Sequence, residues 1–363
     1  MGTMLKVSLS VFRSYWRVVL LMVFFFAVSV FALLILNGYR NGTMHMFQAL
    51  DEAYLVVHEK DTIGEFYGSR ISPEIGQQLL AAGCSRAVPA IHSATSTAGR
   101  NYQFVLGLDL TQYKDVQSFH LLAGTALGVG DDPQNAMVGR VVAERDGLSV
   151  GSQVELRGRY FNVVGIFQTQ GFEDNQVWIS LPAAQKLLGW GSDVSYFLVP
   201  DEGVLQAGQD FVDNTYISQR GENMVTATHE YLNVLDYFST IVFITGLGTA
   251  FAFGSLIFRL GAIQKYELAI LRALGFSRCL ISLNFIFQAG FIFMAGFAIA
   301  LPAALIFPHL YKLNVFDVVL RPELGISDIM TIFGILASMA ALSVAIPLAW
   351  FNRSNISNLL RSE

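Results

Sequence analysis

Residue types that commonly carry chemistry are few in this 363-residue chain, and they do not converge. The six histidines, His45, His58, His92, His120, His229 and His309, are scattered. None pairs with another, or with a cysteine, at the spacing of a metal site. His45 lies between Met44 and Met46, a triplet that suggests copper or haem. On a helix, however, three consecutive side chains point in different directions, which argues against a single ligand set. There is no GxxxxGK[ST] loop, so nucleotide hydrolysis by this chain is not expected, and no GxSxG elbow presents a nucleophilic serine. A charged, helix-prone stretch remains, QKYELAILRALGFSR at 264–278, between two long apolar runs. Its residues suit recognition of a partner, and equally an ordinary positive-inside loop. Glu267 suits the N-terminal turn of a helix, and Leu271 and Leu274 share a side. Arg272 offers a charge pair, and Gly275 can end the helix.

The elements that position this stretch are membrane spans. The chain is 53% hydrophobic and only 14% charged. Four segments, 18–36, 237–258, 280–308 and 329–351, contain no Asp, Glu, Lys or Arg. Each reaches the roughly 20 helical residues that a bilayer requires. The first could be read as a cleaved signal peptide, but its length and the lack of a clear cleavage site favour a retained span. Segments 1–17, 259–279 and 352–363 together hold nine basic and two acidic residues, whereas 37–236 holds 12 basic and 23 acidic. The excess of Lys and Arg predicts cytoplasmic termini and a cytoplasmic 259–279 loop, with 37–236 and 309–328 outside. Cys84 is then external and Cys279 cytoplasmic, so they cannot form a disulfide. The spans hold no ionisable group or histidine for a proton relay or an ion-coupled carrier, nor any polar catalytic group for intramembrane hydrolysis.

Around the spans, helical spacing at residues 4–17 predicts an amphipathic surface helix, with a plain basic flank as the alternative. Leu36, Tyr39, Thr43, Phe47, Leu50 and Tyr54 form a helical stripe, so the first span is expected to continue outward as a stalk. A second stalk is expected over 229–236. The external segment reads as α+β. Strands are predicted at 53–58, 86–98, 102–108, 154–156, 160–167, 176–180, 194–199 and 222–226, and helices at 72–82, 182–188 and 204–215. Two lobes are expected, with lobe two (about 118–193) inserted into lobe one (about 53–117 and 194–227). In the second span, Gly246, Ala250 and Gly254 recur every four residues, which reads either as a helix-packing or dimer face or as the ordinary abundance of glycine in membrane helices. Pro302 is expected to kink the third span, and Pro347 lies near the cytoplasmic end of the fourth.

The run KYELAILRALGFSR resembles the cytoplasmic signature of the FtsX-like/MacB-type permease family of ABC transporters. Lys265, Glu267, Leu268, Ala269, Leu271, Arg272, Ala273, Leu274, Gly275 and Ser277 match, while Phe276 replaces the usual small residue. VGRVVAERDGLSVGSQVELRGRYFNVVGIFQ, followed by VWISLPAAQKLLG, is similar to the family's external core, and the tail NLLRSE to its terminus. The resemblance implies a four-span inner-membrane subunit with a two-lobed α+β external domain, working as a homodimer. It also implies a separate cytoplasmic ABC ATPase that binds the ATP, with no cofactor or metal in this chain. Lys265, Glu267, Leu268, Leu271, Arg272, Leu274 and Gly275 would form the coupling helix that carries ATP-driven motion through the stalks to the external domain. A membrane-fusion adaptor is a further partner consistent with the resemblance. The alternative from another class is a signalling or scaffold protein that regulates an external partner, as in cell-division regulators.

Overall fold

The computed structural model describes residues 15–48, 53–62, 68–97, 100–128, 130–169, 171–219, 234–311, 313–315, 318–320 and 322–353. Nearly all of the expected surface helix at 4–17, the strand at 222–226, most of the second stalk and the tail lie outside the described residues. The chain divides into two compact units. One comprises Met1–Asn41, Tyr237–Lys312 and Arg321–Glu363, the other Gly42–Asp236 and Leu313–Leu320.

Helix α1 (Trp16–Gln48) is one uninterrupted 33-residue element; of the expected stripe, Leu36, Tyr39, Thr43 and Phe47 lie in it, Leu50 lies outside the described residues, and Tyr54 belongs to a strand. The external unit then begins with β1 (Tyr54–Glu59). Helix α2 (Pro73–Ala81) follows and starts where the sequence signals it: Ser72 Oγ accepts from Glu74 N and proline takes the first turn. Next come β2 (Val88–Thr97), β3 (Arg100–Leu108), the short α3 (Leu110–Tyr113) and β4 (His120–Gly124). They are followed by β5 (Asn135–Gly139), α4 (Arg140–Asp146), β6 (Gln153–Leu156) and β7 (Arg159–Gln168). A 3₁₀ turn at Phe172–Asn175 leads into β8 (Gln176–Ser180), α5 (Leu181–Leu188), β9 (Tyr196–Pro200), β10 (Gln209–Asp210) and β11 (Thr215–Gln219).

These strands form a single mixed sheet in the order β10-β11-β1-β9-β2-β3-β8-β5-β7-β4, with β6 also paired to β7. Strands β4–β8 make up one half and the strands before and after them in sequence the other. The halves join through the parallel β3–β8 pair, Phe104 opposite Gln176 to Leu108 opposite Ser180. Val57, Ile91, Val105, Val177 and Ile179 pack into one continuous core with α2, α4 and α5 residues such as Leu79, Val142 and Ala184. Trp178 alternates to the opposite face of β8, as a strand's period of two requires. There it stacks on Phe167 at 3.9 Å, meets Tyr113 and Phe119 edge-on, and donates from Nε1 to Gln176 Oε1.

The helix expected at 204–215 is not formed. The segment turns at Gly208 and Asp213, both at positive φ, and is pinned as β10–β11. Positive φ at two points is incompatible with a right-handed helix, and apolar spacing carries no information about it.

Four further helices follow: α6 (Val234–Ile263), α7 (Lys265–Ala273), α8 (Arg278–Leu310) and α9 (Ile326–Arg353). Helices α1, α6, α8 and α9 are long and apolar enough to cross a membrane. Helix α8 runs through Pro302 and Pro308 as one element. An aromatic cluster of Phe26, Phe253, Phe293, Phe297 and Phe333 ties the four together. Phe26 lies so close to Gly296 that a Cβ there would sit 2.5 Å from its ring.

Between α8 and α9 the chain is more than a loop. Strands β12 (Leu313–Val315) and β13 (Val318–Leu320) pair antiparallel and belong to the external unit. Val318, Val319 and Leu320 are buried, and Val319 N donates to Oδ1 of buried Asn175 at 3.1 Å. Asn175 ends the 3₁₀ turn, whose neighbour Asp174 touches Gly139 so closely that an added Cβ would meet its carbonyl oxygen at 2.4 Å.

Candidate coupling site

The charged stretch folds as a short helix joined to its neighbours by two compact turns. Gln264, buried, separates α6 from α7 as a single residue and keeps its N–H on Leu260 O. At the other end the Leu274 N–H bonds Ile270 O, and Gly275 adopts φ +92°, the left-handed conformation that stops a helix. Two residues on, Ser277 Oγ accepts from Leu280 N and caps α8. The sequence Gly-Phe-Ser is therefore a stop signal followed by a start signal.

Of the residues expected to form the site, Lys265, Glu267, Leu268, Leu271 and Arg272 all lie within α7, and Leu274 and Gly275 form its end. Ala269 faces inward and is fully buried. Glu267 accepts a 3.0 Å hydrogen bond from Tyr15 Oη, 252 residues earlier in the chain. That bond, followed by burial and the carboxylate's charge, pushes the Tyr15 phenol above its usual range. The outward apolar stripe is made by Tyr266, Ile270 (55% exposed) and Leu274 (71% exposed). These are four residues apart and so share one face. Sequence reasoning paired Leu274 with Leu271 and overlooked Tyr266 and Ile270, although their i, i+4, i+8 spacing was legible.

The small residues of the second span meet neighbours within the same chain. A Cβ on Gly246 would lie 3.8 Å from Leu33 of α1, and one on Gly254 3.1 Å from Ser343 Oγ of α9. Ala250, between them, is half-buried. Among the described residues no group of three His, Cys, Asp or Glu is placed to hold a metal ion. His58 is buried at the end of β1, with Nδ1 2.8 Å from Glu59 O. Burial holds its pKa below the ordinary value despite that backbone contact, which acts in the opposite direction. His92 Nε2 lies 3.1 Å from Gln176 Nε2 in the sheet interior. Cys84 is buried, and burial followed by the charge of Glu202 pushes its thiol up, the state of an unreactive cysteine. Cys279 is exposed.

Known proteins bear on this arrangement. The family described as MacB-like periplasmic core domain matches residues 19–218. No curated protein matches the chain. Among solved structures, the periplasmic region of MacB from Actinobacillus actinomycetemcomitans aligns at 14% identity and a TM-score of 0.37. That alignment covers 50% of this chain and 94% of the other. The extracellular domain of the noncanonic ABC-type transporter YknZ from Gram-positive bacteria aligns at 15% identity and a TM-score of 0.33, covering 41% and 83%. A domain of a putative permease protein from Porphyromonas gingivalis aligns at 13% identity and a TM-score of 0.31, covering 47% and 91%. With over half of its length matched by that family and an extracytoplasmic domain set between the first two of four apolar helices, the chain belongs to the MacB-like periplasmic core domain family and is a multi-pass inner-membrane subunit of the ABC-transporter type.

Proposed function

We propose that the chain is the permease subunit of an ABC-type exporter and that α7 is its coupling helix. In this reading a separate cytoplasmic ATPase closes on ATP and pushes on α7. The motion travels through α6 and α1 to the external domain, which expels or extracts a substrate outside the membrane. Two copies of the chain would serve two ATPase subunits, and a periplasmic adaptor would extend the path.

The observation that carries the reading is the Tyr266–Ile270–Leu274 stripe on a short charged helix. Exposed apolar residues on one face of a helix suit insertion into a groove on a protein partner. Glu267, tied to Tyr15, acts in this reading as an internal brace that keeps α7 at a fixed angle, so that force on the stripe moves the spans. Buried Gln264 and left-handed Gly275 fix the two ends of the same lever.

The test is ATPase stimulation in membranes containing the full chain and its cognate ATPase. Leu274→Asp and Ile270→Asp place a charge in the groove and should each lower stimulation at least about tenfold, with insertion unchanged. Leu271→Asp and Glu267→Lys test the remaining face and the brace. Undiminished stimulation and transport in both stripe variants would sink the proposal.

A further inference from the structure

A cleft of about 560 Å³ opens between α1, α6 and α9 within the membrane unit. Its polarity is graded in the same direction on all three helices. Helix α1 contributes Leu33, then Asn37, then Arg40 as it runs outward to the external segment. Helix α6 begins its share at Ser239 and continues inward to Gly246 and Leu247. Helix α9 begins at Asp328 and continues to Leu336 and Met339. The outer end is therefore polar and charged of both signs, and the inner end is an apolar slot. On α6 the lining runs from Ser239 to Leu247, nine residues and about 12 Å of helix rise.

Arg40 is the unusual member of this set. A guanidinium at the edge of the hydrocarbon layer is unfavourable unless it is paired or reaches water. Its Nε donates to Ser239 Oγ at 3.1 Å, which leaves the four Nη hydrogens of the fork directed elsewhere. That fork matches the paired oxygens of a phosphate. Asp328 Oδ2 accepts from Gly325 N at 3.1 Å, and its carboxylate supplies the opposite charge in the same cleft.

We infer that this cleft binds one phospholipid of the outer leaflet with a zwitterionic head group. The phosphate sits at Arg40, the amine at Asp328, and one acyl chain lies along Leu33, Gly246 and Leu336. The volume falls within the range of pockets that enclose a small amphiphile, and the wall is mostly apolar with a few polar groups at one end. The cleft shares no lining residue with α7.

The experiment uses the full chain in vesicles of phosphatidylethanolamine containing a fraction of the same lipid with a photoreactive acyl chain. After irradiation the labelled positions are mapped by mass spectrometry. Residues 242–247 and 332–339 should be labelled above Phe251 and Ile299, which are exposed on the helix surfaces. Arg40→Gln should reduce cleft labelling about tenfold. Gly246→Leu should abolish it by filling the slot, since even a Cβ there meets Leu33 only at ordinary contact distance. Labelling at Phe251 should persist in both variants and shows that they are inserted. Equal labelling of the cleft and Phe251, or no response of cleft labelling to Arg40→Gln, would each overturn the inference.

Discussion

The external unit and the membrane unit use the same residue types under opposite rules. In the external unit the large apolar side chains are enclosed: Trp178, Phe167, Tyr113 and Phe172 are all essentially buried. In the membrane unit Phe251 is 79% exposed, and Phe243, Ile244 and Ile299 are also largely open. Water makes exposure costly for the first group, whereas lipid tails or another protein surface accept the second. The external sheet therefore encloses its large apolar side chains. The helical unit relies on close approach at a few points, such as Gly254 on Ser343 and Gly296 on Phe26.

This contrast predicts a steep hierarchy of mutational effects. Trp178→Ala should cost about 3–5 kcal/mol of stability and make the external unit sensitive to trypsin. Phe251→Ala should change the stability of the full chain by no more than about 0.5 kcal/mol. Comparable losses at the two positions would break the distinction. Asn175→Ala removes the acceptor of buried Val319 N and should cost about 1–3 kcal/mol. Protease cleavage near 313–320 should rise with it.

The third expectation concerns pH. Burial holds the folded-state pKa of His58 below its ordinary value, so the unfolded chain takes up that proton first. Stability from this group is intact above about pH 6.5 and falls as the pH drops from there toward the folded pKa. His58→Gln should flatten that part of the profile of unfolding midpoint against pH; an unchanged slope would remove His58 as its source. The smallest effect on stability, and a sharp one on topology, concerns the cysteines. A maleimide should label exposed Cys279 and spare buried Cys84. A membrane-impermeant maleimide should miss Cys279 in intact cells and reach it after lysis. Labelling in intact cells would reverse the expected orientation.

Much of this was legible in the sequence wherever the signal was local. Ser72-Pro73 marks the start of α2, Gly275 and Ser277 mark the joint between α7 and α8, and apolar length marks the spans. The expected helix at 204–215 failed because backbone sign at Gly208 and Asp213 outweighed apolar spacing. The exposed stripe on α7 was half legible. Family likeness drew attention to Leu271, while the side-by-side placement of Tyr266, Ile270 and Leu274 depends on how α7 is rotated. The hairpin at 313–320 was not legible at all. Three-residue strands carry almost no periodicity, and what fixes them is a partner elsewhere in the chain.

That hairpin bears on the order of assembly. Val319 lies 144 residues after Asn175, and the ribosome makes the second and third membrane helices in the interval. The external unit consequently reaches its final hydrogen-bonded state only after α8 has been made and β12 and β13 follow it. A soluble fragment cut at 42–236 would lack that last strand pair, together with the donor that Val319 brings to Asn175. Completion of the external fold thus depends on residues that follow the third membrane helix in the chain.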